Sequence, residues 1–354
     1  MIKVLGLALY GPLAASTRYR LEQYKTGLSC SGIDMDIFYL LNDRYLKERF
    51  SGGYISWANI IKSSFSRIME LLSQNKYDLI IIHCELFSLV PGWFERLLIK
   101  KNYIYDFDDA FYLKYRIGKL SITERLLGSK FDIIMKGAKA ITAGNHILAN
   151  YAKKHNSNTY YFPTVVDIHR YLPDVSKRNT SYFTVGWIGS PSTAAYLSLI
   201  IEPLSLLGLE GEVKFVVIGG KAPYIPNVKV VEYNWSEQTE VNLINSFDVG
   251  VMPLPNENWT KGKCAFKLIQ YLACEVPVIA SPVGANIDVV SSDCGILAKN
   301  SIEWISALRK IRDLPNNRRD LGIAGRKRVK QYYSLEKNFP ILEKIIRDIV
   351  IMKY

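Results

Sequence analysis

Cysteine is scarce in this 354-residue chain, and what there is forms no framework. The five cysteines (Cys30, Cys84, Cys264, Cys274 and Cys294) are odd in number and show no CxxC spacing. That argues against a disulfide scaffold and a zinc site, and it fits a reducing cytoplasm with thiols serving as small buried hydrophobes. Long apolar runs are missing too: Leu79 to Ile82 is among the longest, far short of the roughly 20 residues that span a bilayer. There is no low-complexity tract, no repeat of solenoid length and no basic tail. Acidic residues are outnumbered, 33 against 45 Lys and Arg, leaving a formal charge of +12. Such a balance bears on partners: nucleic acid, anionic headgroups or phosphorylated substrates. No helix-turn-helix, zinc-finger or RNA-binding signature accompanies it, so a nucleic-acid-binding protein stands as the rival reading and no nucleic-acid partner is expected.

What is present is a globular composition, 49% hydrophobic and 22% charged, on a chain long enough for two domains. Lys3 followed by Val4 to Leu9 and by Ala14-Ala15-Ser16 has the outline of a weak signal peptide; the reading adopted is a buried first strand entering a glycine loop. Short apolar runs then alternate with amphipathic stretches, the pattern of a parallel sheet covered by helices. Strands are expected at Lys3–Leu9, Asp34–Leu40, Asp78–His83, Tyr103–Phe107 and Ala140–Ala143, with helices at 16–30, 61–73 and 146–154. From Tyr160 to Thr180 the chain turns to Pro163, Pro173 and polar residues, which is boundary chemistry. The alternation then restarts with strands at Phe183–Ile188, Lys214–Ile218, Phe247–Met252 and Val276–Ala280 and a helix at 194–206, and ends in a nearly all-helical tail from Ser301 to Lys353, broken at Tyr332-Tyr333-Ser334. The fold expected is α/β: two Rossmann-like doubly wound domains facing a cleft, with ligands at the carboxyl ends of the strands. The expected domains are 1–165, 166–335 and a helix 336–354 packing back on the first.

Chemistry is concentrated in four places. Lys261 to Asn286 reads as a polar glycine loop entering a helix at about Ala265, where backbone N–H groups can face an anion. Lys263 and Lys267, four apart, are expected on one face of that helix start, together seating a diphosphate. Val185 to Thr193 is a strand, a small-residue loop with Gly189 and Ser190, and a capped helix start with Thr193; on its own it is equally an ordinary structural turn. Gly11-Pro12 followed by Arg18 and Arg20 offers guanidinium to phosphate, though Arg20 is as readily a solvent-facing helix residue. Asp106-Phe107-Asp108-Asp109 crowds three carboxylates at a strand end, for which folding alone gives no reason. Their use is either acceptor hydroxyl binding, with Asp109 as base, or a divalent cation; the expectation adopted is no metal. His83, ending the strongest strand, is either cleft-facing or a satisfied structural histidine.

Ile269-Gln270-Tyr271-Leu272-Ala273-Cys274-Glu275-Val276-Pro277-Val278-Ile279-Ala280 closely resembles the donor-binding helix and strand of retaining GT-B glycosyltransferases of the family-four type, in the bacterial cell-surface polysaccharide branch. The Asp-x-Asp-Asp-Ala pattern resembles the same branch. The resemblance covers most of the second half. It implies a GT-B enzyme moving a hexosyl group, with retention and without metal or other cofactor, from a nucleotide-diphosphate donor to a lipid-linked or oligosaccharide acceptor in capsule or O-antigen synthesis. It assigns donor binding to Gly189, Ser190, Thr193, Lys263, Ala265, Phe266, Lys267 and Gln270. Acceptor or phosphate binding falls to Gly11, Arg18 and Asp108, and catalysis to Asp109 and His83. The basic groups near 45–49 and 96–101 suggest docking on the inner face of the cytoplasmic membrane. Two departures stand out: the family's helix glutamate is Gln270, and its earlier loop glutamate falls near Gly262. They leave a catalytically inactive subunit as a further alternative.

Overall fold

The computed structural model describes residues 1–50, 57–116, 121–178 and 181–351; Asn179 and Thr180 of the boundary stretch and Lys353 of the tail lie outside them. The chain divides into two compact units. One comprises Met1–Thr164, Gly262–Cys264 and Asn338–Tyr354; the other comprises Val165–Lys261 and Ala265–Lys337.

The first unit is built on a parallel six-stranded sheet of β1 (Ile2–Tyr10), β2 (Ile33–Leu41), β3 (Leu79–His83), β4 (Tyr103–Phe107), β5 (Ala140–Ala143) and β6 (Thr159–Tyr161), in the order β2-β1-β3-β4-β5-β6. Every residue of β3 and β4 is buried, as a sheet covered on both faces requires. Each buried isoleucine of β3 contributes about 1.5–3 kcal/mol. The stretch expected as one helix over 16–30 is a turn of helix at Ala15–Thr17, a π-helical turn at Arg18–Glu22, and the helix Gln23–Cys30. The helix Leu335–Ile351 lays Leu342, Ile345, Ile346 and Ile349 inward, and Arg347 donates to the Ser31 carbonyl.

The second unit repeats the plan with β7 (Phe183–Ile188), β8 (Val213–Ile218), β9 (Lys229–Tyr233), β10 (Val249–Met252), β11 (Val278–Ala280) and β12 (Gly295–Leu297), in the order β12-β11-β10-β7-β8-β9. Order reverses between β7 and β10 here and between β1 and β3 in the first sheet, and such switch points open crevices at strand carboxyl ends. Strands β6, β9 and β12 were not expected from the sequence. They lie at or beside sheet edges, β6 and β12 are three residues long, and no residue of β9 is buried, so none carries a strong apolar run. Among the described residues no helix is long and apolar enough to cross a membrane.

Candidate active site

In the first unit the chemistry grows from one row of the sheet. Parallel register sets His83 beside Asp106 and Asp106 beside Thr142. Their side chains meet on one carboxylate. Asp106 accepts from His83 Nδ1 (2.7 Å), Thr142 Oγ1 (2.6 Å) and Arg20 Nε (3.1 Å), with a second guanidinium bond from Arg20 Nη2. Arg20 also donates to the Phe162 carbonyl and is 1% exposed. Burial opposes ionisation of Asp106, but the Arg20 guanidinium and the His83 bond outweigh it and hold the carboxyl well below its usual range.

Three expectations are corrected by this row. Arg20 faces no solvent; the π-helical turn brings it inward to pair with Asp106. Asp106 therefore has a folding reason to exist, leaving two carboxylates rather than three for other work. His83, at 1% exposure, is held between Asp106 and the Cys84 thiol (Nε2···Sγ 3.3 Å), so it is a positioning residue and not a base facing an acceptor.

Asp108 and Asp109 follow at the end of β4. Burial, together with Asp109 and Asp106, pushes the Asp108 carboxyl up, against the pull of His83 and Arg20. Asp109 takes an ion pair from Lys263 (2.5 Å) and accepts from the Ala110 amide (3.2 Å). Lys263 thus belongs to this unit. The piece Gly262–Cys264 is tied down by Asn145, whose amide nitrogen donates to the Gly262 (2.9 Å) and Lys263 (3.1 Å) carbonyls while its oxygen caps the helix His146–Lys153 through the Leu148 amide (2.7 Å). Asn145 before a helix is a legible cap; its partners 117 and 118 residues away are not. Gly262 backs onto Ala110, where a Cβ would stand 2.6 Å from the Ala110 Cβ and 2.7 Å from its amide nitrogen. A side chain there would collide with Ala110 unless the backbone shifted.

Near β1, Gly11 donates its amide to the Leu41 carbonyl (2.9 Å), and Arg18 Nη1 donates to the carbonyls of Pro12 (2.6 Å) and Leu13 (2.8 Å). Arg18 therefore braces the Gly11–Leu13 loop through Nη1, a role the sequence reading did not give it.

The second unit assembles the other group. Gly189 follows β7, and a Cβ there would lie 2.4 Å from the Trp187 ring and 2.8 Å from the Lys267 Cε, so glycine lets both pack against the turn. The Lys267 ammonium sits 4.8 Å from the Trp187 ring centroid and donates to Thr193 Oγ1 (3.2 Å); Thr193 in turn donates to the Ser190 carbonyl (3.1 Å). Gly189, Ser190, Thr193 and Lys267 are thereby brought together at a strand's carboxyl end. Lys263 is not with them. Ala265 takes a left-handed conformation (φ 54°), and the helix Phe266–Ala273 begins after it, so the expected shared helix face of Lys263 and Lys267 does not form. Ala265 brings no capping side chain to this helix start. Phe266 is the first helical residue, and at the far end Arg326 donates to the Ala273 carbonyl. Gln270 is 4% exposed and gives its amide nitrogen to the Tyr171 hydroxyl (2.8 Å), which donates to Glu240 (2.7 Å). Half of its amide is spent inside the domain.

Residues 183–313 match the family model described as "Glycosyl transferases group 1". The fold agrees with solved structures over nearly the whole chain. The chain carries a group 1 glycosyltransferase domain on the GT-B fold. Sucrose-phosphate synthase from Thermosynechococcus elongatus is 15% identical, with a TM-score of 0.73 over 99% of this chain and 100% of that one. Anabaena HepE, solved in complex with UDP and glucose, gives 13% identity and a TM-score of 0.70 over 98% and 100%. WaaG, a glycosyltransferase involved in lipopolysaccharide biosynthesis, gives 14% and 0.67 over 98% and 99%. No curated protein sequence matches. The resembling helix and strand are Phe266–Ala273 and β11, inside the matched span.

Proposed function

We propose that this glycosyltransferase moves a hexosyl group from a nucleotide-diphosphate sugar to a lipid-linked saccharide acceptor, with retention, in bacterial capsule or O-antigen assembly. The observation that carries the donor half is the seat of Lys267: an ammonium resting on a hydroxyl and an indole ring, in the first turn of a helix whose start favours anions. There the diphosphate lies against Lys267, Thr193 and the first amides of the helix. Charge growing on the leaving diphosphate is met by groups already in place, an electrostatic contribution that dominates many such reactions. The remaining oxygen of the Gln270 amide accepts from the donor ribose. Transfer needs no metal on this reading, because the cation and the helix start take its part. In the acceptor half, Asp109 takes the acceptor's hydroxyl proton with Lys263 holding its carboxylate, Asp108 binds a neighbouring hydroxyl, and His83 keeps the row beneath them in register.

HepE with UDP and glucose and WaaG in lipopolysaccharide biosynthesis support this reading by likeness of fold. The test is thermal shift of the purified protein with UDP, GDP, ADP and CMP and their sugar conjugates, with and without magnesium. One nucleotide diphosphate is expected to give a saturable, magnesium-independent shift. No shift from any of them in folded protein would overturn the donor site.

The proposal extends to an anionic membrane surface. Trp93, Phe94 and Leu97 are exposed on the helix Gly92–Leu98 beside exposed Arg96 and Lys100, and Ile61, Phe65, Met69 and Leu72 form an exposed stripe on the helix Trp57–Leu72. Apolar anchors rimmed by cations suit a bilayer interface. Flotation with phosphatidylglycerol vesicles is expected, weakened by Trp93→Ala with Leu97→Ala; equal recovery of wild type and variant with the vesicles would sink this surface.

A further inference from the structure

Within the acceptor half lies a set of side chains whose mutual geometry sugar transfer does not account for. His83 Nε2 stands 3.3 Å from the Cys84 Sγ, and Sγ stands 3.7 Å from Asp108 Oδ1. The three ligand-type atoms of His83, Cys84 and Asp108 all lie within 4.8 Å of one another. For a tetrahedral zinc with Zn–S near 2.3 Å and Zn–N or Zn–O near 2.0–2.1 Å, neighbouring ligand atoms are about 3.4–3.6 Å apart. The two measured edges bracket that length.

The surroundings fit the same use. The other nitrogen of His83, Nδ1, is bound to the Asp106 carboxylate at 2.7 Å. A carboxylate on the far side of an imidazole fixes the tautomer and ring angle, so that Nε2 presents its lone pair; metal-binding histidines are held in this way. Arg20, the nearby cation, is already spent on Asp106 and the Phe162 carbonyl. Cys84 holds a left-handed backbone (φ 67°), which turns its thiol back toward His83. Cys84 and His83 are each 1% exposed, while Asp108 is partly exposed and gives the set its side to solvent.

We infer that His83 Nε2, Cys84 Sγ and a carboxylate oxygen of Asp108 form a binding site for a thiophilic divalent cation of the zinc or cobalt kind, with a fourth position left to water. A mixed nitrogen, sulfur and oxygen set suits such ions better than magnesium or calcium. On binding, sulfur bonds the metal and the thiol proton passes to solvent. The site lies in the first unit, shares His83 and Asp108 with the proposed acceptor half, and is tested without donor or acceptor.

The test titrates cobalt(II) chloride into the full chain after removal of metals by chelator. One equivalent is expected to bind, with a sulfur-to-cobalt charge-transfer band that zinc abolishes. Cys84→Ser is expected to lose the band. Cys264→Ser is expected to keep it, because the Cys264 thiol donates to the Asp108 backbone carbonyl (3.0 Å) and lies outside the triangle. Asp108→Asn, which keeps the shape and removes the ligand's charge, should weaken binding. Wild-type protein without the band would leave only a thiol hydrogen-bonded to an imidazole and overturn the site, whatever the variants do. A band that persists in Cys84→Ser would overturn it equally.

Discussion

Replacing Lys130 by methionine is expected to destabilise the first unit by about 3–5 kcal/mol, the usual cost of leaving a buried charge without its partner. Lys130 is 1% exposed and stands between two buried carboxylates, Glu85 Oε1 at 2.8 Å and Glu95 Oε1 at 2.9 Å, while also donating to the Phe87 carbonyl. Glu85 keeps Lys114 and the Tyr115 hydroxyl (2.6 Å) when Lys130 is lost. Glu95 keeps the Phe87 amide (2.9 Å) and bears most of the loss. Burial pushes Glu95 up to about 7, with Lys130 pulling against it. The sign follows from that. A carboxyl raised in the fold above its ordinary value of 4.5 contributes most below pH 4.5, and the contribution falls away as pH rises to about 7. Glu85 and Asp106 are depressed and act in the opposite sense at lower pH, below their unfolded values. Melting temperatures between pH 5 and 8 check both points. Glu95→Gln should flatten the wild-type decline over that range, and Lys130→Met should lower the melting point throughout, most at the alkaline end. Equal melting of Lys130→Met and wild type would mean that the buried lysine is not paired as described.

The same cluster marks where sequence reading runs out. Buried strands such as Leu79–His83 were legible because two covered faces demand continuous apolar residues, and the start of a second domain was legible from the return of that pattern at Phe183. The edge strand Lys229–Tyr233 was not, since half-exposed residues carry no such signature. Charges were the harder case. Arg20 and Asp106 are 86 residues apart, and nothing local to either says that the sheet and the π-helical turn bring them together in the core. Three aspartates in a row of four looked like one site; register divides them, giving Asp106 to the fold and leaving Asp108 and Asp109 at the strand's end. The spacing of Lys263 and Lys267 implied a common helix face, and one left-handed residue, Ala265, undoes it. Spacing is informative only where the backbone is known to be regular.

That separation of the two lysines gives the sharpest test of the proposed chemistry. Lys267→Ala is expected to lower kcat/KM for transfer by about 10²–10³, the scale for removing one group aimed at developing charge. It should also abolish the nucleotide-induced thermal shift. Stability without nucleotide should change little, because Lys267 is only partly buried. Lys263→Ala is expected to behave differently: its partner is Asp109, so donor-induced shift should survive while kcat falls as the carboxylate loses its anchor. Nucleotide titration by calorimetry and steady-state kinetics on both variants separate the cases. If both lose the nucleotide equally, the diphosphate draws on Lys263 as well, and the pair with Asp109 is one that donor binding breaks. If Lys267→Ala binds nucleotide as wild type does, the seat formed by Gly189, Thr193 and Lys267 is structural and the donor lies elsewhere.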